Sequence, residues 1–326
     1  MKGLRRTRSL WERFCFREVD GAPWGLLRIT YALAALGTAL ELAPLLEEHF
    51  TDAGGFTLAD ARDWGGARGV TALMMDPLGD LGAVLFMFGL LLASLVALLL
   101  GRWCRTSAVV SVLLLAWFQA RNPTLLHGGD DILRLTGLCL AVGFLALPPG
   151  DRAFSLDRRR WVEKGGEAGL RAPSMPAWPL RLVQIQVVLM YTAAGFFKLQ
   201  GSAWWDGSAV ALAVGNPVMT RFGLPDWPEL HLPFFVLGAA AALWQLLFGP
   251  LVVWRKTRAI TLLFGVAFHG AILLTMNLGF FAVAVLATYP VFLDAGSIRR
   301  GLEKLPLAGR NRTPLPASLT PLRPGE

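Results

Sequence analysis

Charge is what this sequence has least of for its size. Only 17% of its 326 residues are Asp, Glu, Lys or Arg, while 54% are hydrophobic; ordinary soluble domains carry roughly 25% charged residues. That balance argues against the pair of soluble domains the length alone would allow. Cysteine is equally scarce. Cys15, Cys104 and Cys139 show no CxxC spacing and no pairing pattern, so neither a disulfide framework nor a cysteine metal site is expected. The chain contains no GxSxG and no HExxH, which leaves standard hydrolase readings without support. Gly128-Gly129 has neither the lysine nor the preceding strand of a phosphate loop. A formal net charge of +8 would suit nucleic acid, but the basic residues sit in short blocks between apolar runs, so no nucleic-acid partner is expected. A cleavable signal peptide is not expected either: the first apolar run, Trp24 to Leu46, is longer than an h-region of roughly 7–15 residues. Arg5-Arg6 lies too far ahead of that run for a twin-arginine signal.

What the sequence has is long apolar runs. Leu81 to Leu100 is twenty residues without a charge, the length that crosses a hydrocarbon core of about 30 Å. The runs are continuous rather than alternating, so helices are expected, not a barrel. The fold class is therefore an all-α, polytopic integral membrane bundle with about eight spans, near 23–46, 81–100, 106–121, 131–147, 180–199, 232–254, 258–275 and 278–294. The last two come from one apolar stretch, Ala259 to Leu293, which as a single helix would reach about 52 Å and must fold back near Asn277 and Gly279. Spans three and four are short, so the loop at Asn122-Pro123 is expected to dip toward the membrane.

The basic residues orient the bundle. Of 31 Lys and Arg, 23 fall in residues 1–22, 101–105, 148–179, 255–258 and 295–326, which an even span count puts on one side. The opposite loops hold Arg62, Arg68, Arg121 and Arg221 alone. The positive-inside rule makes the rich side cytoplasmic, with both termini there and the chain in the cytoplasmic membrane. Three regions follow: a cytoplasmic N-terminal segment 1–22, a membrane domain 23–295, and a basic, proline-rich cytoplasmic tail 296–326 expected to be disordered. Within the first, Ser9 to Glu12 reads as a capping box opening a short interfacial helix.

Ionisable groups at membrane depth are expensive, so each is a candidate for function. Lys198 ends span five on the outer side, just before Trp204, Trp205 and Asp206. It reads either as an interfacial lysine snorkelling beside an aromatic belt or as a desolvated amine able to accept a proton. His127-Gly-Gly-Asp130-Asp131 opens span four on the same side. Its aspartates suit a helix cap, Arg134 suits an ion pair with Asp130 four residues back, and a polar substrate-facing patch is the alternative. A metal site there lacks a full ligand set, and no metal is expected. His269 lies mid-span, as a core histidine bonded to a neighbouring helix or as part of a ligand pocket. Arg28, one turn inside span one, reads as snorkelling toward the basic side or as a pocket residue. Gln184, Gln186 and Gln245 read as inter-helix hydrogen bonders.

Tyr191-Thr-Ala-Ala-Gly195-Phe-Phe-Lys198-Leu199, followed by Trp204-Trp-Asp206-Gly207, resembles the signature of the HTTM (horizontally transferred transmembrane) family, which includes the membrane part of vitamin K-dependent γ-carboxylase. Leu27-Arg28-Ile29 resembles the family's first-span arginine. Phe268-His269, Leu278 to Phe281 and Tyr289 to Phe292 are similar to its last two spans. The resemblance covers residues 19 to 295. It implies an enzyme that uses a reduced quinone, vitamin K hydroquinone-like, and oxygen to generate a strong base. Lys198 would deprotonate the hydroquinone, and His127 would stand where the carboxylase has an asparagine-histidine pair. The candidate pocket is then Arg28, Asp130, Arg134, Tyr191, Trp204, Asp206, His269 and Phe281. The carboxylase's extracytoplasmic domain for its peptide substrate has no counterpart in these residues, so a separate substrate or partner protein is expected beside the lipid bilayer and the quinone. The alternative is a non-catalytic scaffold that binds a partner or a lipid. A transporter is weaker still, since no paired broken helices stand in corresponding halves.

Overall fold

In a computed structural model the chain is described at residues 10–64, 79–148, 152–165, 173–222 and 230–303. Eight helices organise it: α1 (Ala22–Leu42), α2 (Leu81–Leu100), α3 (Cys104–Arg121), α4 (Gly128–Ala146), α5 (Trp178–Gln200), α6 (His231–Val253), α7 (Arg258–Thr275) and α8 (Phe281–Leu286). Their ends follow local chemistry. The Asp80 carboxylate caps α2 by accepting from the Ala83 N–H, and Gly101, at φ +68°, ends the same helix in a left-handed turn. Pro179 stands in the first turn of α5, where its missing N–H is harmless.

Among the described residues five helices are long and apolar enough to cross a membrane, counting Ala22–Phe50 as one. A sixth results if Phe281–Phe292 and Ala295–Gly301, bent by 116°, are taken together. α3 and α4 have 18 and 19 residues, a length that spans most of the core, but they carry Arg105 and Arg121, and Asp130, Asp131 and Arg134. The fold-back between α7 and α8 occurs where the sequence placed it, with Gly279 at φ +52°. Residues 219–221 brace it: Asn277 N–H donates to the Met219 carbonyl and Arg221 N–H to the Thr275 carbonyl.

The bundle's outside is apolar. Leu85, Phe86, Leu90, Leu138, Leu145, Leu189, Phe196 and Phe197 are all exposed, a surface water would not tolerate but lipid does. Exposed tryptophans stand at helix ends (Trp103, Trp205, Trp254), as aromatic belts require.

The helices form two groups. α1 to α4 pack in succession; α5 packs most extensively on α6, which continues to α7 and α8. α4 joins the groups by packing on both α5 and α8.

Two segments differ from the expectation. Residues 18–20 are not only a lead-in to span one: Glu18–Asp20 pairs antiparallel with Ser174–Pro176, linking the approaches to α1 and α5. The tail does not loosen at 296, because Ala295–Glu303 is helical, with Asp294 capping the Ser297 N–H and Arg299 bridging to Asp20 at 2.8 Å. Ser9 and residues 304–326 lie outside the described residues; residues 10–16 are helical, as expected.

Candidate functional site

Tyr191, Gly195 and Lys198 are spaced i, i+4 and i+7 on α5 and so share one face. That face meets α6 and α7. Gly195 sets the approach: a Cβ there would lie 2.6 Å from the Leu246 backbone nitrogen, so a side chain would push α6 away. Tyr191 is buried against Trp244 and Phe248 of α6, at ring separations of 4.9 and 4.2 Å. Its hydroxyl lies 2.8 Å from His269 Nε2 on α7 and 2.7 Å from the hydroxyl of Tyr289. Tyr289 fits over Gly265, where an added Cβ would collide with its oxygen. Two tyrosines and an imidazole thus form one hydrogen-bonded chain across the bundle.

Two turns after Tyr191, Lys198 is half-buried with its Nζ 4.8 Å from the centre of the Trp204 ring. Among the described residues it has no hydrogen bond and no ion pair.

Two cavities meet at this cluster. The larger, about 740 Å³, lies along α4 and α5 among Leu135, Leu138, Ile185 and Leu189, with Gly128 and Asp131 at one end. The smaller, about 460 Å³, lies between α5, α6 and α7 and contains Lys198, Trp204 and Phe268. Both volumes are in the range that holds small ligands. Gln245, His269 and Phe281 line both and form the partition. Gln245 and His269 are 5% and 2% exposed, yet Gln245 Oε1 and His269 Nδ1 have no hydrogen-bond partner. Leaving such a buried atom unpaired costs about 1–3 kcal/mol. Among the described residues with an unpartnered buried side-chain atom, these two belong to the cavity linings.

The other sequence candidates fall elsewhere. His127 is the N-cap of α4; its Nδ1 accepts from Gly129 N–H at 3.1 Å while its own N–H donates to Asp130 Oδ2 at 2.9 Å. It lines neither cavity, whereas Phe281, packed on Gly128, lines both. Because the Asp130 carboxylate is turned inward for that cap, Arg134 pairs with the exposed Asp131 and not with Asp130. Asp206 closes its own turn by accepting from Ser208 N–H and Oγ, which hold its carboxyl below the usual range, and it is not brought to Lys198. Arg28 does not snorkel. It is buried, and donates to the carbonyls of Leu98, Leu99 (2.6 Å) and Phe154 (2.7 Å), far from a ligand role. Among the described residues no three His, Cys, Asp or Glu side chains are grouped to hold a metal.

Sequence reasoning missed Tyr289 as a site residue and took Gln245 for inter-helix glue. No local signal marks either; both matter through neighbours distant in the chain. Glu41 was also missed: its Oε2 and His127 Nε2 both face the Cα of Gly279, at 2.8 and 3.3 Å from where a Cβ would stand.

A family model described as the HTTM domain matches residues 16–296 of the chain. No curated protein and no solved structure matches it significantly.

Proposed function

The chain belongs to the HTTM family, and from that premise we propose that it is a membrane enzyme in which Lys198 takes a proton from a reduced, lipophilic quinone-type cosubstrate held in the smaller cavity. The observation that carries the reading is the isolation of Lys198: an amine in a cavity walled by Trp204, Phe264 and Phe268, with no carboxylate paired to it among the described residues. The residues fit such a group. Apolar and aromatic walls match a fused ring and its chain, and Lys198, Gln245, His269 and Thr275 are the polar residues of the lining. When bound, the reduced quinone supplies an acidic hydroxyl and, with oxygen, the stronger base needed to abstract a carbon-bound proton. Lys198 accepts the hydroxyl proton, and the face of Trp204 stabilises the ammonium that results. Phe264 and Phe268, both packed on Trp244, give the cavity around that amine its apolar wall.

The reading includes eight spans in the cytoplasmic membrane, both termini in the cytoplasm and Lys198 toward the outer face, supported by the distribution of Lys and Arg. It also includes a separate protein that presents the substrate receiving the base.

The test is aerobic oxidation of a short-chain naphthoquinol by the purified full chain in lipid nanodiscs, beside mass spectrometry of the lipids it retains. Wild type is expected to oxidise the quinol and to carry a quinone from its membrane. Lys198→Ala and Lys198→Arg are expected to lose oxidation while keeping the wild-type melting profile. Equal oxidation rates in all three proteins would sink the proposal. Quinone retention without any oxidation in wild type would favour a non-catalytic lipid-binding role.

A further inference from the structure

We infer that Arg17, Arg181 and Arg258 form a site for the phosphate of an anionic phospholipid, and that the bound lipid fastens the N-terminal helix to the bundle. The site is separate from the chemistry proposed for Lys198, which stands at the opposite end of α5.

The three arginines come from three parts of the chain, and backbone contacts gather them. Glu18–Asp20 pairs with Ser174–Pro176, and the Ala177 N–H donates to the Arg17 carbonyl at 3.0 Å. Arg17 therefore stands beside the first turn of α5, which holds Arg181. Arg258 opens α7, and its Nε and Nη2 donate to the Val252 and Val253 carbonyls at the end of α6, at 2.9 and 3.2 Å. The neighbouring charges that bear most on Arg181 are those of Arg17 and Arg258, and both repel it. Among the described residues no ion pair joins any of the three to a carboxylate. Like charges gathered without a counter-charge destabilise one another, and an anion placed among them relieves that.

Arg181 is already fixed to receive it. Its Nη1 donates to Gln184 Oε1 at 2.6 Å, and Gln184 Nε2 is itself anchored on the Val291 carbonyl. The guanidinium lies 4.7 Å from the centre of the Phe14 ring. Nη2 makes no hydrogen bond among the described residues and is not enclosed. A held guanidinium with a free edge suits phosphate oxygens. The surroundings decide which phosphate. Leu10, Trp11, Phe14 and Phe16 are exposed on the helix at 10–16, as are Leu182 on α5 and Val253 and Trp254 at the end of α6. A soluble anion leaves that apolar surface bare. A phospholipid sets its phosphate on the arginines and its acyl chains on the apolar residues, as lipids do at basic pockets between helix ends. Phe14 and Arg17 belong to the N-terminal segment, Arg181 and Arg258 to the bundle, so one phosphate ties the two together.

The test uses the purified full chain in a neutral detergent, given phosphatidylglycerol or phosphatidylcholine with the same acyl chains. In native mass spectrometry wild type is expected to retain a first phosphatidylglycerol at least about tenfold better than phosphatidylcholine. It is also expected to melt at a higher temperature with phosphatidylglycerol, because the lipid binds the folded state. Cys15, buried on the docked helix, is expected to react more slowly with a maleimide when phosphatidylglycerol is present. Arg181→Gln, and separately Arg17→Gln combined with Arg258→Gln, are expected to lose all three effects. Arg159→Gln combined with Arg160→Gln removes two exposed charges elsewhere at the basic end and is expected to keep them. Equal retention of the two lipids by wild type, or a preference that survives in either site variant, would overturn the inference. So would a loss in the Arg159 and Arg160 variant as large as in the site variants, since that marks general charge attraction. Equal Cys15 reactivity in the two lipids would remove the fastening role. An equal rise in melting temperature with inorganic phosphate alone would reject the lipid in favour of a free anion.

Discussion

The two halves of the bundle use their polar residues differently. In α1 to α4 the buried arginines are held by backbone carbonyls. Arg28 holds three, Arg121 donates to those of Phe56 and Thr57, and just beyond α4 Arg152 pairs with Asp157 at 2.6 Å. In α5 to α8 polar residues line cavities: Lys198 over Trp204, Gln245 and His269. A group whose bonding is complete stabilises a fold, and one whose bonding is incomplete at a cavity awaits a ligand. The difference teaches which intramembrane charges to associate with function, since depth alone marks Arg28 and Lys198 alike.

Substitutions can break that comparison. The largest effect is expected at Lys198→Ala, which should lower quinol oxidation by about 10²–10⁴-fold with no shift in melting temperature. Arg28→Ala should do the reverse. Losing its hydrogen bonds to three buried carbonyls should cost about 3 kcal/mol, read as a lower melting temperature, while the remaining folded protein oxidises quinol at the normal rate. If Arg28→Ala abolished turnover in protein that melted normally, the division between halves would be lost. Gly195→Val sharpens the contrast because it should affect both properties: overpacking the α5–α6 contact should cost about 1–3 kcal/mol and also shift Lys198 within its cavity. The smallest effect is expected from acid. Burial alone would raise the Asp157 carboxyl, but hydrogen bonds from the Cys104 and Trp103 N–H groups and the charge of Arg152 outweigh it and hold it below its usual range. Its contribution is therefore present above the unfolded carboxylate value and is lost as pH falls through the lower folded value. Thermal melts between pH 7 and pH 3 should show that loss in wild type and not in Asp157→Asn.

Part of the site is legible in the sequence. Tyr191, Gly195 and Lys198 stand together in the motif that resembles the family signature. The fold-back at Asn277 and Gly279 followed from length alone. The role of Arg28 was not legible, because a snorkelling arginine and an arginine clamping carbonyls have the same sequence. Its partners Leu98 and Phe154 are 70 and 126 residues away. The expected pairing of Arg134 with Asp130 failed for a local reason: helix spacing allows i, i+3 as well as i, i+4, and the cap at His127 had already engaged Asp130.

By itself the sequence determined that these helices exist and that their surroundings are apolar, because uninterrupted runs such as Leu81 to Leu100 can satisfy their backbone only within a helix and their side chains only away from water. Tertiary structure alone decided which polar side chains were completed and which were left facing a cavity. Tyr191 meets Tyr289 across 98 residues and His269 across 78. A hydrogen bond needs two groups within about 3 Å, and nothing in a linear pattern specifies which distant helices will bring them that close.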